Sequence, residues 1–155
     1  SHRGSAVSDI EITSARTLDA GTLGRILSEN NDLLPWLPRV HSAAEEIMYA
    51  EQMIDAGWVT VARRDGKAVG FLARWDNEIV ALYVLPAVHD HGIGTALLEA
   101  AKSECDHLGL WSYQANTAAT RFYGLRAFRQ VARTDGSGND VGLADIRFEW
   151  ARDAG

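Results

Sequence analysis

Apolar and polar residues alternate through DIEITSA (Asp9 to Ala15), which predicts a first strand. Leu23, Ile26 and Leu27 then recur at helical spacing, with Asp19 placed to cap that helix. LLPWLPRVH (Leu33 to His41) carries two prolines and reads as a structured loop. A second helix follows from Ser42, where Ser42 and Glu45 have capping-box spacing, and Gly57 ends it. Met48 and Met53 on this helix are expected in the core. WVTVARR and AVGFLARW flank Asp65-Gly66, the strongest hairpin signal in the chain. EIVALYVLP, from Glu78, is apolar at nearly every position, the expectation being a strand covered on both faces.

Leu97, Leu98, Ala101, Cys105 and Leu108 trace one helical stripe that Gly109 would end. LWSYQ is a further strand, and NTAATRFYGL a short helix that Asn116 can cap. FRQVAR and ADIRFEW close the pattern as strands around the turn-rich TDGSGNDVG. The order is therefore β-α-α-β-β-β-α-β-α-β-β. It predicts an α/β (α+β) fold, a mixed sheet of about seven strands flanked by about four helices.

Composition narrows the classes. At 155 residues, the chain suits a single domain, assigned here to residues 6–155, with SHRGS at its head read as a cloning remnant. The formal net charge of -6 argues against a nucleic-acid partner, which would require clustered Lys and Arg. With no apolar run long enough for a membrane span and no secretory leader, the expectation is a cytoplasmic protein without a membrane partner. A single cysteine, Cys105, excludes an internal disulfide and fits a reducing compartment.

The candidate chemistry lies in VHDHGIG, where His89, Asp90 and His91 precede Gly92-Ile93-Gly94. As a metal site the cluster is weak. Successive residues of extended chain point to opposite sides, and no second group with ligand spacing occurs elsewhere, so no metal is expected. As an anion site it has more support. A strand ends just before it, a helix opens within it, and glycines let a phosphate approach the first N–H groups of that helix. The P-loop pattern fails because no Lys-Ser/Thr pair follows, and the dinucleotide fingerprint fails because Leu97 occupies its third glycine position.

Read together, LYVLPAVHDHGIGTALL and NTAATRFYGLRAF resemble the GCN5-related N-acetyltransferase (GNAT) superfamily. That family's pyrophosphate loop reads Arg/Gln-x-x-Gly-x-Gly/Ala after a strand ending Leu-Tyr-Val-x-Pro. Its second motif reads Asn-x-x-Ala-x-x-Phe-Tyr-x-x-x-Gly-Phe. Leu82, Tyr83, Val84, Pro86, Gly92 and Gly94 match the first, and Asn116, Ala119, Phe122, Tyr123 and Phe128 the second. LPWLPRVHSAAEE, TDGSGND and the final EW are similar to one bacterial branch of the family whose substrates are mostly undefined.

The resemblance implies an enzyme, an acetyl-CoA-dependent N-acetyltransferase acting directly on a primary amine of a small molecule or peptide. Acetyl-CoA would lie between EIVALYV and LWSYQ. Backbone groups of Leu82, Tyr83 and Val84 would hold pantetheine and thioester, while His89, Asp90, His91, Gly92, Ile93, Gly94 and Thr95 would wrap the pyrophosphate. Asn116 and Tyr123 would complete the donor site, with Tyr123 as general acid for the CoA sulfur. For the general base, Glu78, His41 and water stay open. Trp36 and His41, in the prolyl loop, would border the acceptor. Family members often dimerise, which makes a homodimer the oligomer to look for.

Three positions depart from the pattern: His89 replaces Arg or Gln, Asp90 stands where glycine is frequent, and Ala127 replaces the glycine before Phe128. These departures make a non-catalytic acyl-CoA-binding module the alternative. Ala127 must either avoid the left-handed conformation or carry strain. A protonated His89 or His91 could offset Asp90, so that acetyl-CoA binding tightens as pH falls through the ~6.5 region of ordinary histidine.

Overall fold

The computed structural model describes residues 10–39, 41–89 and 91–152. SHRGS, the Asp9 start of the first strand and Asp90 lie outside the described residues. Among the described residues, seven strands form one sheet: β1 (Ile10–Ser14), β2 (Val59–Arg64), β3 (Lys67–Trp75), β4 (Glu78–Val84), β5 (His107–Tyr113), β6 (Arg129–Arg133) and β7 (Asp145–Ala151). Four helices accompany them: α1 (Ala20–Asp32), α2 (Ala43–Asp55), α3 (Ile93–Glu104) and α4 (Thr117–Leu125). The strand order is β1-β2-β3-β4-β5-β7-β6. β4 and β5 run parallel, whereas β1–β2, β2–β3, β5–β7 and β6–β7 are antiparallel. The expected mixed sheet of seven strands with four helices is the one observed, and it is mostly antiparallel.

The chain divides into two compact units. One comprises the residues up to Arg74 together with Ala81–Ala101, the other Trp75–Val80 together with the residues from Lys102 onward. In the first, Leu23 and Ile26 of α1 and Met53 of α2 bury themselves against Val61 and Phe71. The α2 capping box forms as expected, with Glu45 N–H donating to Ser42 Oγ at 3.1 Å and Ser42 N–H to Glu45 Oε1 at 2.8 Å. Gly57, at φ 79°, lets Trp58 N–H return to the Met53 carbonyl at 3.1 Å. Asp65 and Gly66 both take positive φ, as a two-residue hairpin turn requires.

Four expectations change. Met48 is 52% exposed, because it falls on the outer face of α2 while Met53 faces inward. β4 is not covered on both faces: Ile79 and Ala81 are buried, but Val80 between them is exposed. The stripe after Gly94 does not run to Gly109, since α3 stops at Glu104. Cys105 follows the helix as a buried residue, and Leu108 and Gly109 belong to β5. Asp19 occupies the cap position of α1 without a side-chain cap bond. Its carboxylate instead accepts two bonds from Arg63, at 2.9 and 2.7 Å, and one from the Arg16 N–H at 2.7 Å. A charged, buried partner outcompetes the helix N–H groups.

In the second unit, β5 pairs with β7 along its length and supplies Leu108 and Leu110 to a core with Ile146 and Phe148. The connection between β6 and β7 winds around Asn139. Its Oδ1 accepts from Gly142 N–H at 2.8 Å, and its Nδ2 donates to the Leu143 carbonyl at 2.7 Å and to Asp145 at 3.2 Å.

Candidate active site

The first unit carries the glycine turn. After β4, the chain makes a single 3-10 turn, Pro86–Val88, and enters α3 at Ile93. Gly92 takes φ 79°, and its carbonyl accepts the first helical bond from Ala96 at 3.0 Å. Ile93 is buried while Gly92 and His91 are exposed, so the helix is anchored by its first residue with its N-terminal edge outward. Gly70 of β3 makes this seating feasible. A Cβ there would lie 3.1 Å from Ile93 Cγ2 and 3.1 Å from the Tyr83 carbonyl oxygen. Helix geometry leaves the opening N–H groups without intrahelical acceptors, and the dipole favours an anion at that end.

The two histidines part company. His89 Nε2 is 2.9 Å from the Val84 carbonyl, which can only accept, so that nitrogen carries a hydrogen. Asn30 Nδ2 donates to the same carbonyl at 2.9 Å and ties α1 to the end of β4. His91 Nδ1 lies 3.1 Å from Arg64 Nη1, and because a guanidinium has only donors, this nitrogen is the acceptor. Protonating His91 there would break its bond, whereas protonating His89 would keep its own. Among the described residues no group of three His, Cys, Asp or Glu side chains could hold a metal ion.

Leu82, Tyr83 and Val84 form the last turn-ward half of β4, all half-buried, with the Tyr83 ring 5.9 Å from that of Phe71. Gly94 and Thr95 follow in the first turn of α3, also half-buried. In the prolyl loop Trp36 is half-buried and His41 exposed. That loop is braced by Arg39, which pairs with Asp32 and reaches Glu46 at 3.5 Å. Glu46 is itself buried on α2 and accepts from Ser28 at 2.5 Å and Asn31 at 2.8 Å, so one carboxylate joins α1, α2 and the loop.

The second unit carries the remaining candidates. Asn116 Oδ1 accepts from Ala119 N–H at 3.0 Å, making it the cap of α4. Tyr123 is 7% exposed, its ring 5.3 Å from Phe128 and 5.7 Å from Phe148. Glu78 pairs with Arg147 at 2.8 Å, and Arg147 also meets Glu149 at 3.4 Å and lies over the Trp111 ring at 5.7 Å. Gly109 makes room for this guanidinium, since a Cβ there would fall 2.1 Å from Nη2. A cleft of about 390 Å³, lined by Trp75, Asp76, Glu78, His107, Arg147 and Glu149, opens beside the pair. Burial first, then the carboxylates of Asp145 and Asp140, push the Tyr113 phenol above its ordinary range, which keeps it a hydrogen-bond donor.

Sequence reasoning missed Arg64, Asn30, Gly70, Arg147 and Tyr113. An unusual glycine inside AVGFLARW was the one local signal among them.

Comparison with known proteins bears on the family and the fold. Residues 26–128 match the model of the Acetyltransferase (GNAT) family. Over 72 residues the chain is 35% identical to the peptidyl-lysine N-acetyltransferase YiaC of Escherichia coli, spanning 46% of this chain and 49% of that one. Over 102 residues it is 34% identical to an uncharacterized N-acetyltransferase of Archaeoglobus fulgidus, spanning 56% and 69%. The chain thus matches about half the length of the first relative. Among solved structures, yncA, a putative acetyltransferase from Salmonella typhimurium with its cofactor acetyl-CoA, superposes with a TM-score of 0.69. The identity is 19%, covering 94% of this chain and 95% of that one. Among the described residues no helix is long and apolar enough to cross a membrane.

Proposed function

Because this chain belongs to the GNAT family of acetyltransferases, we propose that it transfers acetyl from acetyl-CoA directly to a primary amine of a small molecule or peptide. The observation that carries the reading is the turn from β4 into α3. It presents a glycine at positive φ and a helix N-terminus, anchored through Ile93, where a pyrophosphate would sit. Backbone groups of Leu82 to Val84 would align the pantetheine, and Gly92 to Thr95 would take the phosphates. Asn116, as the cap of α4, fixes the helix that bears Tyr123.

The chemistry then needs three acts. A deprotonated amine attacks the thioester carbonyl carbon, the carbonyl oxygen is stabilised as charge builds on it, and the C–S bond breaks. The proton lost by the amine goes to Glu78, to His41 or to water, and the departing thiolate takes a proton from the Tyr123 phenol. Glu78 lines the cleft with Asp76 and Glu149 and is held there by Arg147 at 2.8 Å, and Trp36 would offer a flat surface to the alkyl or ammonium part of the acceptor.

One observation favours a second reading, a module that binds acyl-CoA without turnover: the Tyr123 ring is nearly buried among Phe122, Phe128 and Phe148. Thiol release from acetyl-CoA with a panel of amines separates the two. Amine-dependent release supports transfer, whereas CoA affinity with no release for any amine, and no effect of Tyr123→Phe, supports the binding module.

A further inference from the structure

The turn lacks the basic or amide residue that the family places three positions before its first glycine, His89 standing there instead. A guanidinium reaches the same turn from another part of the chain. Arg64 ends β2, next to the hairpin turn Asp65-Gly66, and its strand neighbour Arg63 points to Asp19 on the opposite side of the strand. Arg64 points to the turn, with Nη1 3.1 Å from His91 Nδ1. His91 is two residues before the first residue of α3.

The rest of this guanidinium is unspent. Among the described residues, Nε and Nη2 of Arg64 are buried and have no hydrogen-bond partner. Buried donors without acceptors are costly, and those of an arginine more than most, because the group stays charged. Nε and Nη2 form one edge of the planar fork, the edge that grips two oxygens of a phosphate. The side chain as a whole is only half-buried, and its bond to His91, two residues before α3, places the guanidinium at the turn that opens this helix.

We propose that Arg64 is a phosphate-binding residue of this chain, gripping the pyrophosphate of CoA through its Nε–Nη2 edge and supplying the cation that His89 does not. This rests on the donor reading above. It also accounts for the charge pattern of the turn: His91 holds the guanidinium in place through a neutral nitrogen until a stronger acceptor arrives. The exchange is favourable because one bond to an uncharged acceptor is replaced by two to an anion.

The test is isothermal titration of CoA and of 3′-dephospho-CoA into the wild-type protein, Arg64→Gln and Arg64→Lys, with folding checked by circular dichroism. The expected result is a loss of about tenfold or more for Arg64→Gln with both ligands, the size given by a charge-assisted hydrogen bond. Arg64→Lys, which keeps the charge but not the fork, should fall between the two. If Arg64→Gln does not fold, Arg64→Lys alone decides, and wild-type affinity for both ligands would overturn the proposal. So would a Kd for Arg64→Gln within about twofold of wild type, or a loss with CoA that vanishes with 3′-dephospho-CoA, which would move Arg64 to the 3′-phosphate. A wild-type protein that binds neither ligand overturns the donor reading itself, and this inference with it.

Discussion

The backbone N–H of Phe128 donates to the carbonyl of Tyr123 at 3.0 Å, closing α4 one turn after the candidate acid. Ala127 N–H returns to the Gly124 carbonyl at 3.4 Å, and Ala127 itself takes φ 71°. The pair of bonds is a Schellman ending with alanine in the place that glycine prefers. Ala127 therefore carries the strain of a left-handed backbone.

Ala127→Gly should accordingly stabilise the protein. Relief of a left-handed alanine is worth ~1–2 kcal/mol, and the extra freedom of glycine in the unfolded chain takes back ~0.4–1 kcal/mol. The net expectation is a gain of ~0.5–1 kcal/mol, read as a higher urea midpoint at unchanged slope. A lower midpoint would mean that the Ala127 methyl makes a contact worth more than the strain.

Asp19 and Arg63 form a bidentate pair, each 8% exposed. The Arg63 hydrogen bonds hold the Asp19 carboxyl below its ordinary value, against the opposing effect of burial. A lowered folded value adds stability that is fully present above the unfolded value of ~3.9 and is lost as pH falls through the folded one. Asp19→Asn should cost ~3 kcal/mol at pH 7 by leaving Arg63 buried and unpaired. The gap from wild type should narrow below about pH 4. Urea unfolding across pH 2 to 7 checks this, and a gap of constant size would contradict it.

Tyr123→Phe removes the phenol and leaves the aromatic cluster in place. Under the transfer reading, turnover should fall by ~10²-fold or more, the usual share of a general acid. Stability should fall by no more than ~1 kcal/mol. Steady-state thiol release and thermal unfolding read the two effects separately. Undiminished turnover would remove Tyr123 from the chemistry.

Gly109→Ala should displace Arg147 rather than unfold β5, because the atom it meets is the far end of a flexible side chain. Losing the partly exposed Glu78–Arg147 pair costs less than ~1 kcal/mol. In a double-mutant cycle, Glu78→Gln should then add nothing further to stability in the Gly109→Ala background. A full additional cost would mean that Glu78 is held by something other than Arg147.

What the sequence determined by itself is local. The Ser42–Glu45 capping box, the Gly57 helix end, the Asp65-Gly66 hairpin and the Asn116 cap each join residues at most five positions apart. Short spacing leaves few alternative partners, so residue type alone decides them. The strand and helix order follows in the same way from apolar periodicity, and with it the turn that opens α3 at Gly92. The tertiary structure decided which charged side chains meet. Arg64 finds His91 27 positions away, Asp19 finds Arg63 at 44, Asn30 reaches the Val84 carbonyl at 54 and Glu78 finds Arg147 at 69. At such separations periodicity says which face a residue takes but not what lies across from it. VHDHGIG therefore read as a cluster of its own, whereas folding splits its histidines and sends one to β4 and the other to an arginine on β2.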